Sequence, residues 1–191
     1  MIILNPFEPW PGKMALGAHE KAGVKVLARV LDYGGVFHGD LPDEDSLLPE
    51  DHRRYRPAGW VAEGRRRLAE IQPIADRHGL TPLQLAGQWT LAQPAVHCVV
   101  PTFIQENGPM HKTVEDQRRE LATIPMQTVL TPEDIAEIDR LGDNRGCMAL
   151  KGGTPGHEGP AMPDSWPMAP DLEDVAVRWG IAPERDLVRL T

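Results

Sequence analysis

Short apolar runs rich in β-branched residues alternate with segments of helical periodicity along this chain. The three runs that predict strands are Ile2 to Leu4, Val24 to Leu31 and Ala95 to Val100. Lys13 to Ala22 predicts a helix between the first two strands, with Gly23 just past its end as a C-cap. Because a helix separates strands that are joined by short connections, the pattern predicts parallel pairing and an α/β fold.

The segment from Thr81 to Thr102 is the most clearly delimited helix–strand unit. Thr81 suits an N-cap, Pro82 suits the first helical position, and Gln84 stands where a capping box needs Glu or Gln. The helix is expected to end before Pro94, because the residue preceding a proline disfavours helical backbone. The apolar strand that follows is predicted to be buried on both faces.

Three further helices and two long loops complete the pattern. The helical segments are Gly59 to His78, Lys112 to Ala122 and Thr131 to Leu141. The two loops, Asp32 to Ala58 and Phe103 to His111, are both irregular in sequence. Loops of this length inside a compact domain are usually functional or disordered, so both are candidate sites.

Composition narrows the class of protein. The chain has 191 residues, 41% of them hydrophobic and 25% charged, an ordinary balance for one globular domain. Its net charge of −8 argues against a nucleic-acid or membrane-surface partner. No stretch has the length of a membrane span and the N-terminus lacks the features of a signal peptide, so the sequence predicts a cytoplasmic location. Cys98 and Cys147 are too few for a disulfide framework, and we expect free thiols with Cys98 in the core.

Six segments in a characteristic order carry a resemblance to a known family. They are Arg29 to Asp32 at a strand end, the glycine-rich Gly34 to Gly39, the helix start Gly79 to Trp89, the strand end Val99 to Thr102, the polar Glu115 to Gln117 and the closing helix Leu130 to Asp139. Together they resemble the second half of the aldo-keto reductases. Members of that family are (β/α)8 barrels that move a hydride between NADPH and a carbonyl.

The resemblance covers residues 1 to 142 and begins at the sixth barrel strand. Met1 to Asn5 matches that strand, and the family's glutamine that holds the nicotinamide carboxamide falls on Met1. A complete barrel needs about 250 residues, so the resemblance implies a C-terminal half with strands six to eight only. The expected architecture is a partial barrel of about three parallel strands with helices. Residues 143 to 191 are expected to form an irregular tail with a short terminal helix, Leu172 to Trp179.

The resemblance implies that NADP(H) is the cofactor. The residues it places against that cofactor are Arg29, Val30, Leu31, Gly34, Gly35, Gly39, Pro101, Thr102, Lys112, Asp116 and Gln117. The glycines either let backbone N–H groups approach a pyrophosphate or form a simple pair of turns. Arg29 either stacks on the nicotinamide ring or pairs with an acid such as Asp32. The polar helix residues either grip the 2′-phosphate and adenine or form a solvated face.

The catalytic groups of the family have no counterpart here. Those enzymes use an Asp, a Tyr, a Lys and a His from earlier strands and loops, and no position in this chain matches any of the four. Tyr33 and Tyr55, the two tyrosines of the chain, both lie in the first long loop. A general acid must lie within hydrogen-bond reach of the carbonyl, so we expect no carbonyl reduction by this polypeptide alone.

Two functions therefore stay open, and the sequence does not identify a substrate. The first is the cofactor-binding half of an NADP-dependent oxidoreductase, arising from a mis-assigned start, a truncation or a split protein that needs an N-terminal half-barrel. The second is a non-catalytic binding or interaction module that self-associates, because an open barrel exposes strand edges and apolar faces.

Histidines in the loops raise the question of a metal site. They are His38, His52, His97, His111 and His157. None has a paired ligand spacing such as HxxxH or CxxC, so the sequence predicts no structural zinc.

Overall fold

In the part of the chain that the structure describes, three parallel strands form a sheet in the order β1–β2–β3. Their bounds are Ile2–Ile3 for β1, Val26–Arg29 for β2 and Val96–Val100 for β3. Arg29 at the end of β2 pairs with Ile3 on one side and with Val100 on the other. The predicted α/β class with parallel pairing is confirmed.

The computed structural model describes residues 1–10, 12–39, 41–56, 58–106 and 111–144, together with 174, 177 and 178. Within that part of the chain the α-helices are α1 Gly17–Ala22, α2 Trp60–Arg77, α3 Pro82–Leu91, α4 Val114–Ala122 and α5 Pro132–Leu141. Short 3₁₀ turns occupy Gly12–Ala15, Val36–His38, Glu44–Ser46 and His52–Tyr55. Each helix predicted before residue 142 is present, although the first one is divided into a 3₁₀ turn and α1.

Capping boxes define the starts of α3 and α5. The Thr81 hydroxyl accepts a hydrogen bond from the Gln84 amide at 3.2 Å, and the Thr81 amide donates to Gln84 Oε1 at 2.9 Å. Thr131 and Asp134 repeat the arrangement at α5. Each box satisfies backbone donors that the first turn of a helix leaves unpaired, so these residues fix where the two helices begin.

The core lies between one face of the sheet and the helices α2, α3 and α5. Ile71 and Ile74 of α2 and Trp89 of α3 are almost fully buried. The Trp89 indole N–H also donates to Asp139 Oδ1 of α5 at 3.0 Å. Burying a large side chain stabilises by about 1.5–3 kcal/mol, and the hydrogen bond orients α5 on α3.

The other face of the sheet is open, which corrects two predictions. Leu27 of β2 is 37% exposed, and Cys98, its pairing partner in β3, is exposed as well. The prediction that β3 is buried on both faces is therefore wrong, and so is the placement of Cys98 in the core. The physical reason is that no element of the described chain covers this face.

The chain divides into two units, residues 1–156 and 157–191. In the second unit only residues 174, 177 and 178 are described, and all three are helical. Most of the predicted tail therefore lies outside the described residues, as do Cys147, His157 and the bounds of the predicted terminal helix. None of the described helices has the length and apolar character that crossing a membrane requires.

Candidate functional site

The turn that follows β2 has a strained backbone. Val30 and Tyr33 both have positive φ angles, 60° and 50°. A β-branched residue is rarely found in this left-handed region, and such strain clusters at functional sites. Tyr33 is held in place because its ring packs against Phe7 and Trp60, each at 5.6 Å between centroids. Core packing thus imposes a sharp reversal at the carboxyl end of β2.

Asp32 organises this reversal through both its backbone and its side chain. The Gly35 amide donates to Asp32 Oδ2 at 2.9 Å, and the Phe37 amide donates to the Asp32 carbonyl at 3.1 Å. The residue is only 7% exposed, and Oδ1 has no hydrogen-bond partner among the described residues. Burial raises the pKa of Asp32, and the nearby His38 and His52 partly oppose that shift.

A narrow cleft with a cavity volume of about 20 Å³ opens beside this turn. Its walls come from the loop after β2, the loop after β3 and the first turns of α4. Of the residues assigned to the cofactor, Gly34, Gly35, Lys112 and Gln117 line the cleft. The carboxyl ends of parallel strands are where α/β proteins place their ligand sites, and this cleft has that position.

Arg53 lies against the glycine turn on one side of the cleft. Its guanidinium is buried and bonds Asp51, with Nη2 2.6 Å from Oδ2 and Nε 2.9 Å from Oδ1. A Cβ placed on Gly35 would lie 3.2 Å from Arg53 Nη1, so the glycine allows this close approach. Burial alone would raise the pKa of Asp51, but the hydrogen bonds from Arg53 outweigh it and lower the pKa.

Lys112 and Gln117 form the opposite wall. Lys112 Nζ donates to the His38 carbonyl at 2.8 Å and to Glu120 Oε2 at 2.8 Å, so its charge is already paired. The Gln117 amide nitrogen donates to the Ile104 carbonyl at 2.8 Å and to that of Lys112 at 3.1 Å. Gln117 Oε1 is buried with no partner in the described part of the chain, which leaves an acceptor at the cleft wall.

An ion pair connects the two loops across the cleft rim. His52 Nδ1 bonds the Glu106 carboxylate, and Asp51, His52 and Glu106 bring one ligand atom each to within 4.8 Å of one another. A cation at this point would compete with Arg53 for the Asp51 carboxylate, and the adjacent guanidinium would repel it. We therefore assign no metal ion to this group.

The remaining residues assigned to the cofactor lie outside the cleft lining. They are Arg29, Val30, Leu31, Gly39, Pro101, Thr102 and Asp116. Arg29 is exposed and makes no ion pair with Asp32 within the described residues. On the exposed side of α4 the Asp116 carboxylate accepts hydrogen bonds from the Thr113 hydroxyl and from Arg119, and Thr113 is the N-cap of the helix.

Sequence reasoning missed several residues of the cleft. They are Asp32, His38, His52, Arg53, Glu106 and His111. All of them lie in the two long loops, which the sequence had already indicated as candidate sites. The pairings across the loops, such as His52 with Glu106, join residues 54 positions apart and leave no local pattern.

Comparisons with known proteins give distant likenesses in sequence and in structure. No family model matches the chain. A probable voltage-gated potassium channel subunit beta from Arabidopsis thaliana is 23% identical over 105 residues, which are 55% of this chain and 30% of the relative. The chain therefore spans less than a third of that curated relative's length.

A solved structure gives a likeness of similar strength. It is a thermostable aldo-keto reductase in complex with the inhibitor epalrestat, 23% identical with a TM-score of 0.40, covering 73% of this chain and 38% of that one. Likenesses at this level do not establish membership of a family.

Proposed function

We propose that this chain is the cofactor-binding part of an aldo-keto-reductase-like (β/α)8 barrel and that its cleft binds NADP(H). The observation that carries the proposal is the convergence of Gly34, Gly35, Lys112 and Gln117 on one cleft. The resemblance assigned those four residues to the cofactor from separate segments of the sequence. Gly34 and Gln117, the outermost of the four, are 83 positions apart.

The walls carry groups that suit the phosphates and adenine of a dinucleotide, but a cavity of about 20 Å³ has room for about one water molecule, so the two loops must move apart for it to bind. Arg53 and Lys112 lie near backbone amides of the glycine turn, and a phosphate would compete with Asp51 and Glu120 for their charges. Gln117 Oε1 is a buried acceptor without a partner in the described residues, and an adenine amino group would supply the missing donor. The resemblance assigns adenine contacts to this same segment of α4.

The bound nicotinamide would supply a hydride, and we expect the acid that must act with it to come from outside this chain. Tyr33 is buried in the core, and burial together with the nearby Glu8 raises its pKa well above the ordinary range. Its ring packs on Phe7 and Trp60 rather than lining the cleft. Tyr33 is therefore unsuited to protonate a substrate, and carbonyl reduction would need groups from the rest of a barrel.

The open face of the sheet supports the proposal that an N-terminal half-barrel acts as a partner. In a closed barrel that face would meet side chains from the other strands. An N-terminal half-barrel would cover Leu27 and Cys98 and supply the acid and base. Self-association through the same face is the alternative function, a non-catalytic interaction module.

The proposal is tested by titrating the purified chain with NADPH and following tryptophan fluorescence. We expect saturable binding that Lys112→Met weakens by about tenfold, since a charge-assisted contact to phosphate is lost. Lys25→Met is the matched control, because Lys25 is exposed at the opposite end of β2. Absence of NADPH binding together with a stable homodimer by light scattering would instead support the interaction module.

A further inference from the structure

The anion-binding position of the glycine turn is already occupied by a side chain of this protein. The Gly35 amide, which the proposed function assigns to a pyrophosphate, donates to Asp32 Oδ2 at 2.9 Å. It also lies 3.2 Å from the Asp32 carbonyl oxygen, so both acceptors come from one residue. Asp32 lines the cleft, and its second carboxylate oxygen, Oδ1, is buried without a partner among the described residues. A buried carboxylate therefore stands where a phosphate oxygen would be bound.

We propose that Asp32 is an autoinhibitory occupant of the cleft, whose carboxylate competes with the phosphates of the ligand for the Gly35 amide. The inference rests on the proposed function and adds regulation to the same site. Ligand phosphate and the Asp32 carboxylate are both acceptors for one N–H donor, so one must leave or lose its charge before the other binds.

The charges around Asp32 favour this competition. Arg53 is held by Asp51 and Lys112 by Glu120, so the two permanent cations at the cleft are already compensated. Glu106 at the rim adds a further negative charge, paired with His52. An incoming phosphate would meet Asp32 at close range in a partly buried site, where screening by solvent is weak.

Protonation offers a way to relieve the competition. Burial raises the pKa of Asp32, so its charge is lost at a higher pH than that of an exposed aspartate. Phosphate affinity should therefore rise as pH falls through that pKa. His38, His52, His111 and Glu106 also line the cleft, so their charges act on a bound phosphate as well. A variant without the carboxyl group is needed to separate the two contributions.

The experiment compares Asp32→Asn with the wild-type chain and with Asp45→Asn, an exposed residue of the same loop. The asparagine keeps an acceptor for the Gly35 amide, so the turn is retained while the charge is removed. NADP⁺ and inorganic pyrophosphate are titrated by calorimetry at pH 7.5 and at mildly acidic pH. We expect Asp32→Asn to bind both ligands about tenfold more tightly or better at pH 7.5, with Asp45→Asn unchanged.

The pH dependence is the second measurement. The advantage of Asp32→Asn should shrink at acidic pH, because the wild-type carboxyl group is then protonated. If the wild-type chain binds NADP⁺ and Asp32→Asn binds no better at either pH, the autoinhibitory role is overturned while the proposed function stands. If neither protein binds NADP⁺ or pyrophosphate, the proposed function fails and this inference fails with it. If Asp32→Asn does not fold, a wild-type affinity that does not rise towards acidic pH overturns the inference.

Discussion

Replacing Asp51 by alanine tests whether the buried Asp51–Arg53 pair holds the loop after β2 in place. Both side chains are almost completely buried, at 2% and 3% exposure. Asp51 accepts four hydrogen bonds from Arg53, three from the guanidinium and one from the backbone amide. The substitution removes all four and leaves the guanidinium buried without its counter-charge.

The expected cost follows from this geometry. Breaking a buried ion pair by removing one partner typically costs about 3–5 kcal/mol, because the remaining charge loses its compensation. Partial exposure of Arg53 to water in the neighbouring cleft would reduce this cost. We therefore expect Asp51→Ala to lower the free energy of unfolding by about 3 kcal/mol. A small domain is stable by only about 5–15 kcal/mol, so the effect is large.

Urea unfolding followed by fluorescence of the five tryptophans measures the loss. The double variant Asp51→Ala/Arg53→Met should recover most of it, since the orphaned charge is removed as well. Glu70→Ala is the control, because its pair with Arg66 is exposed and should be worth less than about 1 kcal/mol. A cost below about 1 kcal/mol for Asp51→Ala, or a double variant no more stable than the single, would refute the reasoning.

Three other outcomes are expected from the structure. Val30→Gly should raise the free energy of unfolding by about 1 kcal/mol in urea, since glycine adopts a φ of 60° without strain. Thr81→Ala should lower it by about 1 kcal/mol through loss of the capping box, and Thr81→Ser should restore most of that. Asp134 is largely buried, and although that burial opposes the shift, hydrogen bonds from Arg77, Thr131 and His78 lower its pKa. Its stabilising contribution should therefore be complete above the ordinary pKa of an aspartate and decline as pH falls below it. Thermal melts from pH 6 to pH 3 should show a smaller loss for Asp134→Asn than for wild type, and equal losses would contradict the assignment.

The elements that could be predicted are those with local signals. The start of α3 follows from Thr81, Pro82 and Gln84, because a capping box involves only neighbouring residues. The buried side of α2 follows from the spacing of Ile71 and Ile74. Parallel pairing followed from the alternation of strands and helices. In each case the physical cause acts over a few positions, so the sequence contains it directly.

The exposure of β3 had no such signal. An apolar strand such as Val96–Val100 has the same composition whether a second layer covers it or not. Cys98 was assigned to the core for that reason, and its exposure depends on what lies opposite. Part of the cleft lining could be predicted from the sequence, because its glycines and its α4 residues belong to sequence motifs. The pairing of Asp32 with Gly35, by contrast, needs the positive φ of Tyr33, which core packing imposes.

Binding and catalysis should be separable in this chain, because their residues depend on different parts of the fold. The cleft is built from two loops that the described core anchors: Tyr33 packs on Phe7, and Gln117 bonds the Ile104 carbonyl. None of these contacts uses the open face of the sheet. A partner that covered Leu27 and Cys98 would therefore change stability and supply reactive groups while leaving the cleft intact. We expect dinucleotide affinity to be similar with and without such a partner, and carbonyl reduction to occur only with it.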